Sequence, residues 1–168
     1  MQCAAPIRIA LIIFATEKGD AMKRILVPIN GSDDSLQAVK EAIRQGYPPR
    51  RAEIHLLNVQ RRMLPEETLH LTPTENIDIY YYERSHMALA PAEKLLRDAG
   101  FPFISHRAVE RAVEVILEQA RELKCDSIVM STQGPGRSTD TSSYSVSAKV
   151  QQMAQVPVTL VKNTAALI

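Results

Sequence analysis

Hydroxyl-bearing residues are concentrated in one stretch of the chain, residues 131–145, which contains eight serines and threonines. The stretch has few large apolar residues, and it includes the sequence Gly134-Pro-Gly136. An apolar run at residues 127–130 precedes it, and a segment with helical periodicity follows it. A loop that joins a buried strand to a helix exposes backbone N–H groups beside the positive end of the helix dipole. This is the usual physical setting for phosphate binding.

Two interpretations of this loop remain open. In the functional one, Gly134, Gly136, Arg137, Ser145 and neighbouring amides hold the phosphates of an adenine nucleotide. In the other, Gly-Pro-Gly is turn chemistry and the hydroxyls solvate the loop. The standard nucleotide fingerprints do not match, because Thr139 stands where a dinucleotide loop needs its third glycine and no Gly-Lys-Ser/Thr sequence occurs. The sequence therefore establishes no cofactor, and ATP is the candidate.

The charge balance predicts neither a nucleic-acid nor a membrane partner. The formal net charge is +1, so no overall field attracts a polyanion or an anionic lipid surface. The basic pairs Arg50-Arg51 and Arg61-Arg62 are short and are interpreted as solvated loop charges.

The cysteines and histidines predict a reducing compartment and no metal site. Cys3 and Cys125 are 122 positions apart and form neither a metal-binding pair nor a disulfide framework, which favours the cytoplasm. Cys125 is predicted to be a core thiol. The four histidines have no spacing that suits zinc. No Ser-His-Asp or paired-carboxylate arrangement can be placed, so we expect a protein that is not an enzyme.

The chain is long enough for one domain with a substantial core. Residues 1–21 contain a run of seven apolar residues, far below the roughly 18 that a transmembrane helix needs, and they lack the cleavage site of a signal peptide. We therefore predict that residues 1–21 are an N-terminal extension outside the fold. The folded domain is predicted to span residues 22–162, which leaves 163–168 as a C-terminal tail.

Apolar runs alternate with segments of helical periodicity throughout the domain. This pattern predicts an α/β fold with one parallel sheet, helices on both faces, and a ligand crevice at the carboxyl ends of the strands. Residues 60–74 are predicted to be a loop. Pro91 lies inside a long helical segment, so a kink or break is expected near Leu89. The predicted strands are residues 25–29, 53–59, 101–109, 126–130 and 156–161.

Four segments of the chain resemble the universal stress protein family. The resemblance implies a Rossmann-like domain with a five-stranded parallel sheet of order 3-2-1-4-5. It also implies homodimers that pair through the last strand, and a cytoplasmic role in stress adaptation. The matching segments are residues 23–32, 120–130, 144–150 and 156–161.

Nucleotide-binding members of that family carry Gly-x-x-Gly, nine further residues, and then Gly followed by Ser or Thr. On this chain Ser131 replaces the first glycine, Gly134 matches the second, Tyr144 replaces the third, and Ser145 keeps the hydroxyl. Asn30 occupies the position of an aspartate at the end of the first strand. Asn30 can still accept a hydrogen bond but has lost the charge, and the Tyr144 ring stands where bare backbone would meet a phosphate. The nucleotide loop is therefore interpreted as degenerate.

Three functions follow as hypotheses. The first is a dimeric, cytoplasmic stress-response protein that binds nucleotide weakly or not at all and acts through an unknown protein partner. The second is an ATP-binding switch of the same fold. The third, an adenylyl-transferring enzyme, has the weakest support because neither residues 30–35 nor residues 131–145 contain the histidine that such enzymes need.

Overall fold

A computed structural model describes residues 22–68, 76–132 and 142–162, with only the backbone described at residues 50 and 142–145. Five strands and five helices lie in these ranges. The strands are β1 (Lys23–Pro28), β2 (Ala52–Gln60), β3 (Phe103–Val109), β4 (Ser127–Thr132) and β5 (Val158–Lys162). The helices are α1 (Asp33–Gly46), α2 (Pro65–Thr68), α3 (Ile77–Asp98), α4 (Ala112–Glu122) and α5 (Ser142–Met153), and a 3-10 turn spans Pro49–Arg51.

The five strands form one parallel sheet of order β3-β2-β1-β4-β5. β1 is central, and its residues Ile25, Leu26 and Val27 are fully buried. A strand that is covered on both faces needs apolar residues at every position, which explains why β1 is a continuous apolar run. The α/β fold with strand order 3-2-1-4-5 is confirmed.

Helices cover the sheet on both faces and enclose two hydrophobic cores. On one face, α1 and α3 pack against side chains such as Val27, Leu56 and Val129. On the other face, α4 and α5 pack against side chains that include Leu26 and Met130. The alternation of side chains along each strand supplies both cores from the same strands.

α1 begins where the sequence provides turn and capping residues. Ser32 is its N-cap and accepts a hydrogen bond from the Ser35 backbone N–H. Asp33 and Asp34 follow in the first turn, where carboxylates interact favourably with the helix dipole. The helix ends at Gly46, which is buried against the start of β2.

The expected break in the long helix is absent, because α3 continues through Pro91 for 22 residues. Pro91 lies on the exposed side of the helix, while Leu89, Ala92 and Leu96 are fully buried against the sheet. Burial of such side chains is worth several kcal/mol, about the same as the cost of one proline inside a helix. Packing therefore keeps the helix continuous.

The segment predicted as a loop between β2 and α3 contains the short helix α2. Pro65 begins it, and Glu66 and Glu67 lie in its first turn, so its sequence has the features of a helix N-terminus. Four residues are too few to show helical periodicity, which explains why the sequence pattern did not reveal it.

Within the described ranges, no helix combines the length and the apolar character that crossing a membrane requires.

Candidate functional site

The strand order reverses between the neighbouring strands β1 and β4. The helix that follows β1 packs on one face of the sheet, and the helix that follows β4 packs on the other. In open α/β sheets the ligand crevice lies at this point, outside the carboxyl ends of the strands. A cavity of about 160 Å³ occupies the position. Among the described residues its walls are apolar apart from two polar side chains. These lining residues are Pro28, Ile29, Asn30, Leu57, Val59, Ala112, Ile116, Met130, Ser131 and Val146.

Asn30 lies in the turn between β1 and α1, at the edge of this cavity. Its side-chain oxygen accepts hydrogen bonds from the Ser32 backbone N–H at 3.0 Å and from the Ser32 hydroxyl at 2.6 Å. Ser32 in turn caps α1. The Asn30 side chain is thus tied to the first turn of the following helix, as is common for asparagine in turns.

Two further contacts hold the turn in place. The Asn58 amide donates a 2.7 Å hydrogen bond to the Ile29 carbonyl, and Asn58 is almost completely buried in β2. Gly31 has a φ of +85° and packs closely against Ala88 of α3, since a Cβ built on Gly31 would lie 3.2 Å from the Ala88 Cβ. Both the backbone conformation and the space at residue 31 therefore favour glycine.

Ser131 was predicted to begin the loop, but the structure places it inside β4, paired with Val161 of β5. The loop prediction was wrong here because serine and threonine are common in loops. Ser131 and Thr132 instead continue the backbone pairing of β4 with β5. Ser131 is half-buried and lines the same cavity as Asn30. The structure thus brings two of the predicted site residues together across the β1–β4 crevice.

The remaining predicted site residues stay predictions. Gly134, Gly136 and Arg137 lie outside the described residues. Tyr144 and Ser145 belong to the first turn of α5, whose backbone alone is described at these positions.

A larger cavity, of about 540 Å³, lies at the opposite end of the sheet beside the amino ends of β4 and β5. Apolar side chains such as Leu117 and Val156 line it together with charged residues of α4. We nevertheless place the candidate site in the smaller cavity, because that cavity lies at the switch point and contains Asn30 and Ser131.

Cys125, which lies beside the larger cavity, is a core thiol as predicted. Its burial, together with the nearby Asp126 carboxylate, raises the pKa of the thiol to about 11. The thiol is therefore protonated at neutral pH and is a poor nucleophile.

Sequence spacing missed a hydrogen-bonded chain formed by Glu53, His55 and His106. His55 Nε2 lies 3.0 Å from Glu53 Oε1, and His55 Nδ1 lies 3.0 Å from His106 Nε2. Because a carboxylate only accepts hydrogen bonds, the tautomer of neutral His55 that suits this chain carries its proton on Nε2, and its Nδ1 then accepts from His106. The sequence offers one signal, which is that each histidine is the fourth residue of its strand. This signal becomes useful only once β2 and β3 are known to be neighbours.

This histidine chain predicts that the protein loses stability in mild acid. Burial, with a smaller effect from His55, lowers the pKa of His106 below 6.5. The unfolded chain then takes up a proton before the folded chain does, so the free energy of unfolding falls as the pH drops through about 6.5. His106→Gln keeps a donor near the position of Nε2 but does not titrate. Urea denaturation between pH 7.5 and 5.5 should show a smaller pH dependence in this variant, and an equal dependence would contradict the assignment.

The parallel sheet, its 3-2-1-4-5 order and the cavity at the switch point define a doubly wound α/β domain of the Rossmann-like class. The family model described as the universal stress protein family matches residues 22–162. The chain belongs to the universal stress protein family, and the resemblance seen in the sequence is confirmed. No curated protein sequence matches closely enough to count as a relative.

Solved structures share the fold at low sequence identity. Hypothetical protein MJ0577 has a TM-score of 0.68 and 24% identity, over 85% of this chain and 97% of its own. A universal stress protein family protein from Arabidopsis thaliana, with AMP bound, has a TM-score of 0.62 and 18% identity over 85% and 93%. The universal stress protein from Archaeoglobus fulgidus in complex with dAMP has a TM-score of 0.58 and 18% identity over 86% and 100%. These similarities establish the fold.

Proposed function

We propose that this protein is a stress-response regulator that binds a nucleotide in the cavity between Asn30 and Ser131 and signals to a protein partner. The observation that carries the proposal is the position of this cavity at the switch point, with those two residues as the polar side chains among its described lining. Structures of universal stress proteins with cAMP, AMP and dAMP support a nucleotide as the ligand.

The protein is proposed to act by binding and not by catalysis. Among its described lining residues the cavity has Asn30 and Ser131 as polar groups, and neither forms an acid–base pair. ATP is a candidate ligand alongside the nucleoside monophosphates. A cytoplasmic location is part of the proposal, and it agrees with the free thiol of Cys125.

Pairing through β5 is the proposed route to a homodimer. β5 is an edge strand, and its residues from Val158 to Val161 are only half-buried in the single chain. An edge strand presents unpaired backbone groups that a second copy can cover. Sedimentation equilibrium should give twice the chain mass of 18.7 kDa, and a monomer at micromolar concentration would contradict the dimer.

The nucleotide proposal predicts that blocking the small cavity abolishes binding. Freshly purified protein is denatured and tested for released nucleotide, and then AMP, IMP and ATP, each with and without magnesium, are titrated by calorimetry. Ala112→Phe, which adds a ring at the cavity wall, should remove binding. Ala154→Phe is the matched control, since Ala154 is also half-buried but lines the larger cavity at the other end of the sheet. Equal loss in both variants, or no binding by the wild type, would contradict the proposal.

The second candidate function is a regulator that uses its partner surface without any nucleotide. It is favoured by Tyr144, which replaces a glycine of the family motif in the first turn of α5. Tyr144→Gly distinguishes the two candidates. If ATP binds only after this substitution, the loop is blocked in the wild type and the partner-only function is supported. If both proteins bind nucleotide, the first proposal stands.

A further inference from the structure

The larger cavity is a groove with an apolar floor on the face of the sheet that α4 and α5 cover. Leu117, Ile128 and Val156 line it, and Met153, another lining residue, is 59% exposed. With a volume of about 540 Å³, the groove has room for several apolar side chains. Apolar surface of this kind gains free energy when another apolar segment covers it.

Charged residues of α4 and of the turn after it border the groove in two groups of opposite sign. Glu114 and Glu118 lie toward the carboxyl ends of the strands, and Arg121 and Lys124 lie toward the amino ends. Their spacing of three or four residues places them along one side of the helix. A segment that matches this border is apolar in its middle, positively charged at one end and negatively charged at the other.

The sequence that precedes β1 has this pattern of charge and apolar residues. The extension run, residues 9–15, consists of seven consecutive apolar residues. Arg8 stands directly before the extension run, and residues 17–20 after it carry the carboxylates Glu17 and Asp20 together with Lys18. The charge is therefore positive before the extension run and negative, by one unit, after it.

β1 begins beside the wall of the groove. The backbone N–H of Arg24 donates to the Asp126 carboxylate at 2.8 Å, and the Arg24 guanidinium donates to the Leu123 carbonyl at 3.1 Å. Lys124 and Cys125, which line the groove, lie between these two partners in the chain. The chain that precedes β1 therefore joins the domain at the same end of the sheet as the groove.

The extension run is close enough in sequence to reach the groove. Six residues, 16–21, separate it from Met22, and a chain of that length spans up to roughly 20 Å when extended. Glu17 and Asp20 are nearest to β1 in sequence, so they come first to the basic end of the groove. Arg8, beyond the extension run, then comes to the acidic end.

We infer that the groove is the docking site for residues 9–15 of the same chain, with Arg8 toward Glu118. The extension then stays outside the sheet, as its sequence predicts, but covers apolar surface of the domain. This docking is independent of the proposed nucleotide cavity, which lies at the opposite end of the sheet.

Disulfide trapping on the full-length chain tests the docking. Leu11→Cys is combined with Met153→Cys in a Cys3→Ser background. Leu11→Cys with Met87→Cys is the matched control, because Met87 is also exposed but belongs to α3 on the other face of the sheet. Mild oxidation should join residues 11 and 153 about tenfold faster than residues 11 and 87, because docking raises the effective concentration at the groove. Peptide mapping separates this disulfide from one to the buried Cys125.

Two further changes test the contacts that hold the extension run. Ile12→Asp should slow the disulfide between residues 11 and 153, since a carboxylate is costly to bury on an apolar floor. Glu118→Lys should also slow it, and adding Arg8→Glu should restore the rate because opposite charges face each other again.

Each outcome decides one part of the inference. Equal rates at residues 153 and 87, or a rate that Ile12→Asp leaves unchanged, overturns the docking. Disulfides that join two chains, detected after mixing isotope-labelled and unlabelled protein, overturn the same-chain occupant and assign the groove to a second copy. If Arg8→Glu restores nothing in the Glu118→Lys chain, the direction of the segment is overturned.

Discussion

Replacing Asn58 by alanine is expected to lower the free energy of unfolding by about 2–4 kcal/mol. Asn58 is almost completely buried, and its amide donates to the Ile29 carbonyl while its oxygen accepts from Gln60 at 2.7 Å. Alanine leaves the carbonyl without this donor and creates a cavity in β2. A buried polar group that loses its partner costs the full desolvation free energy, which is why the effect is large.

The same substitution should weaken nucleotide binding at the small cavity. Ile29 directly precedes Asn30, so the hydrogen bond from Asn58 sets where β1 ends and where the turn begins. Urea denaturation and calorimetry on the same preparation measure the two effects. Gln60→Ala is the control, because it removes one partner of Asn58 but leaves the bond to Ile29. A cost in Gln60→Ala as large as that in Asn58→Ala would contradict this account.

The second large effect is expected at Gly46, where alanine should destabilise the fold by about 1–3 kcal/mol. Alanine inside a helix normally stabilises by about 1 kcal/mol relative to glycine, so the predicted sign is opposite to helix propensity. The reason is space, since a Cβ on Gly46 would lie 2.7 Å from the Ala52 Cβ and 3.0 Å from a ring carbon of Phe101. α1 therefore approaches β2 more closely than a side chain at residue 46 allows.

Two further variants test this explanation by thermal or urea denaturation. Gly100→Ala is the control, because no atom lies within 4 Å of its Cβ position and its φ of +72° alone disfavours alanine, by about 1–2 kcal/mol. Ala52→Gly in the Gly46→Ala background should recover part of the loss by removing the nearest atom. If Ala52→Gly only lowers the free energy of unfolding further, crowding at residue 46 is not the cause of the loss in Gly46→Ala.

The sequence predicted the strands and most helices because continuous apolar runs and helical periodicity report burial directly. It misjudged Pro91, since local chemistry does not show that Leu89 and Leu96 pack against the sheet on the other side of the helix. It also placed Ser131 in the loop, because a hydroxyl-rich strand end has the composition of a loop although its backbone pairs with β5. In each case tertiary contacts decided between two locally acceptable conformations.

The sequence could place Asn30 in the candidate site from its position at the end of the first strand, where the family pattern has an aspartate. The hydrogen-bond polarity of Asn30 was not predictable, because it depends on which amide group faces Ser32. The pairing of His55 with His106 was missed for a related reason. Their separation of 51 residues carries no signal until β2 and β3 are known to be neighbours.

The turn that carries Asn30 is held from three directions, by the capping residue Ser32, by Asn58 of β2 and by Ala88 of α3. Its conformational entropy is therefore already lost when the protein folds. A ligand that reaches Asn30 meets a preorganised donor and does not spend binding free energy on ordering it. A single exposed hydrogen bond from Asn30 can therefore discriminate between ligands, because folding of the whole domain has already fixed the position of the donor.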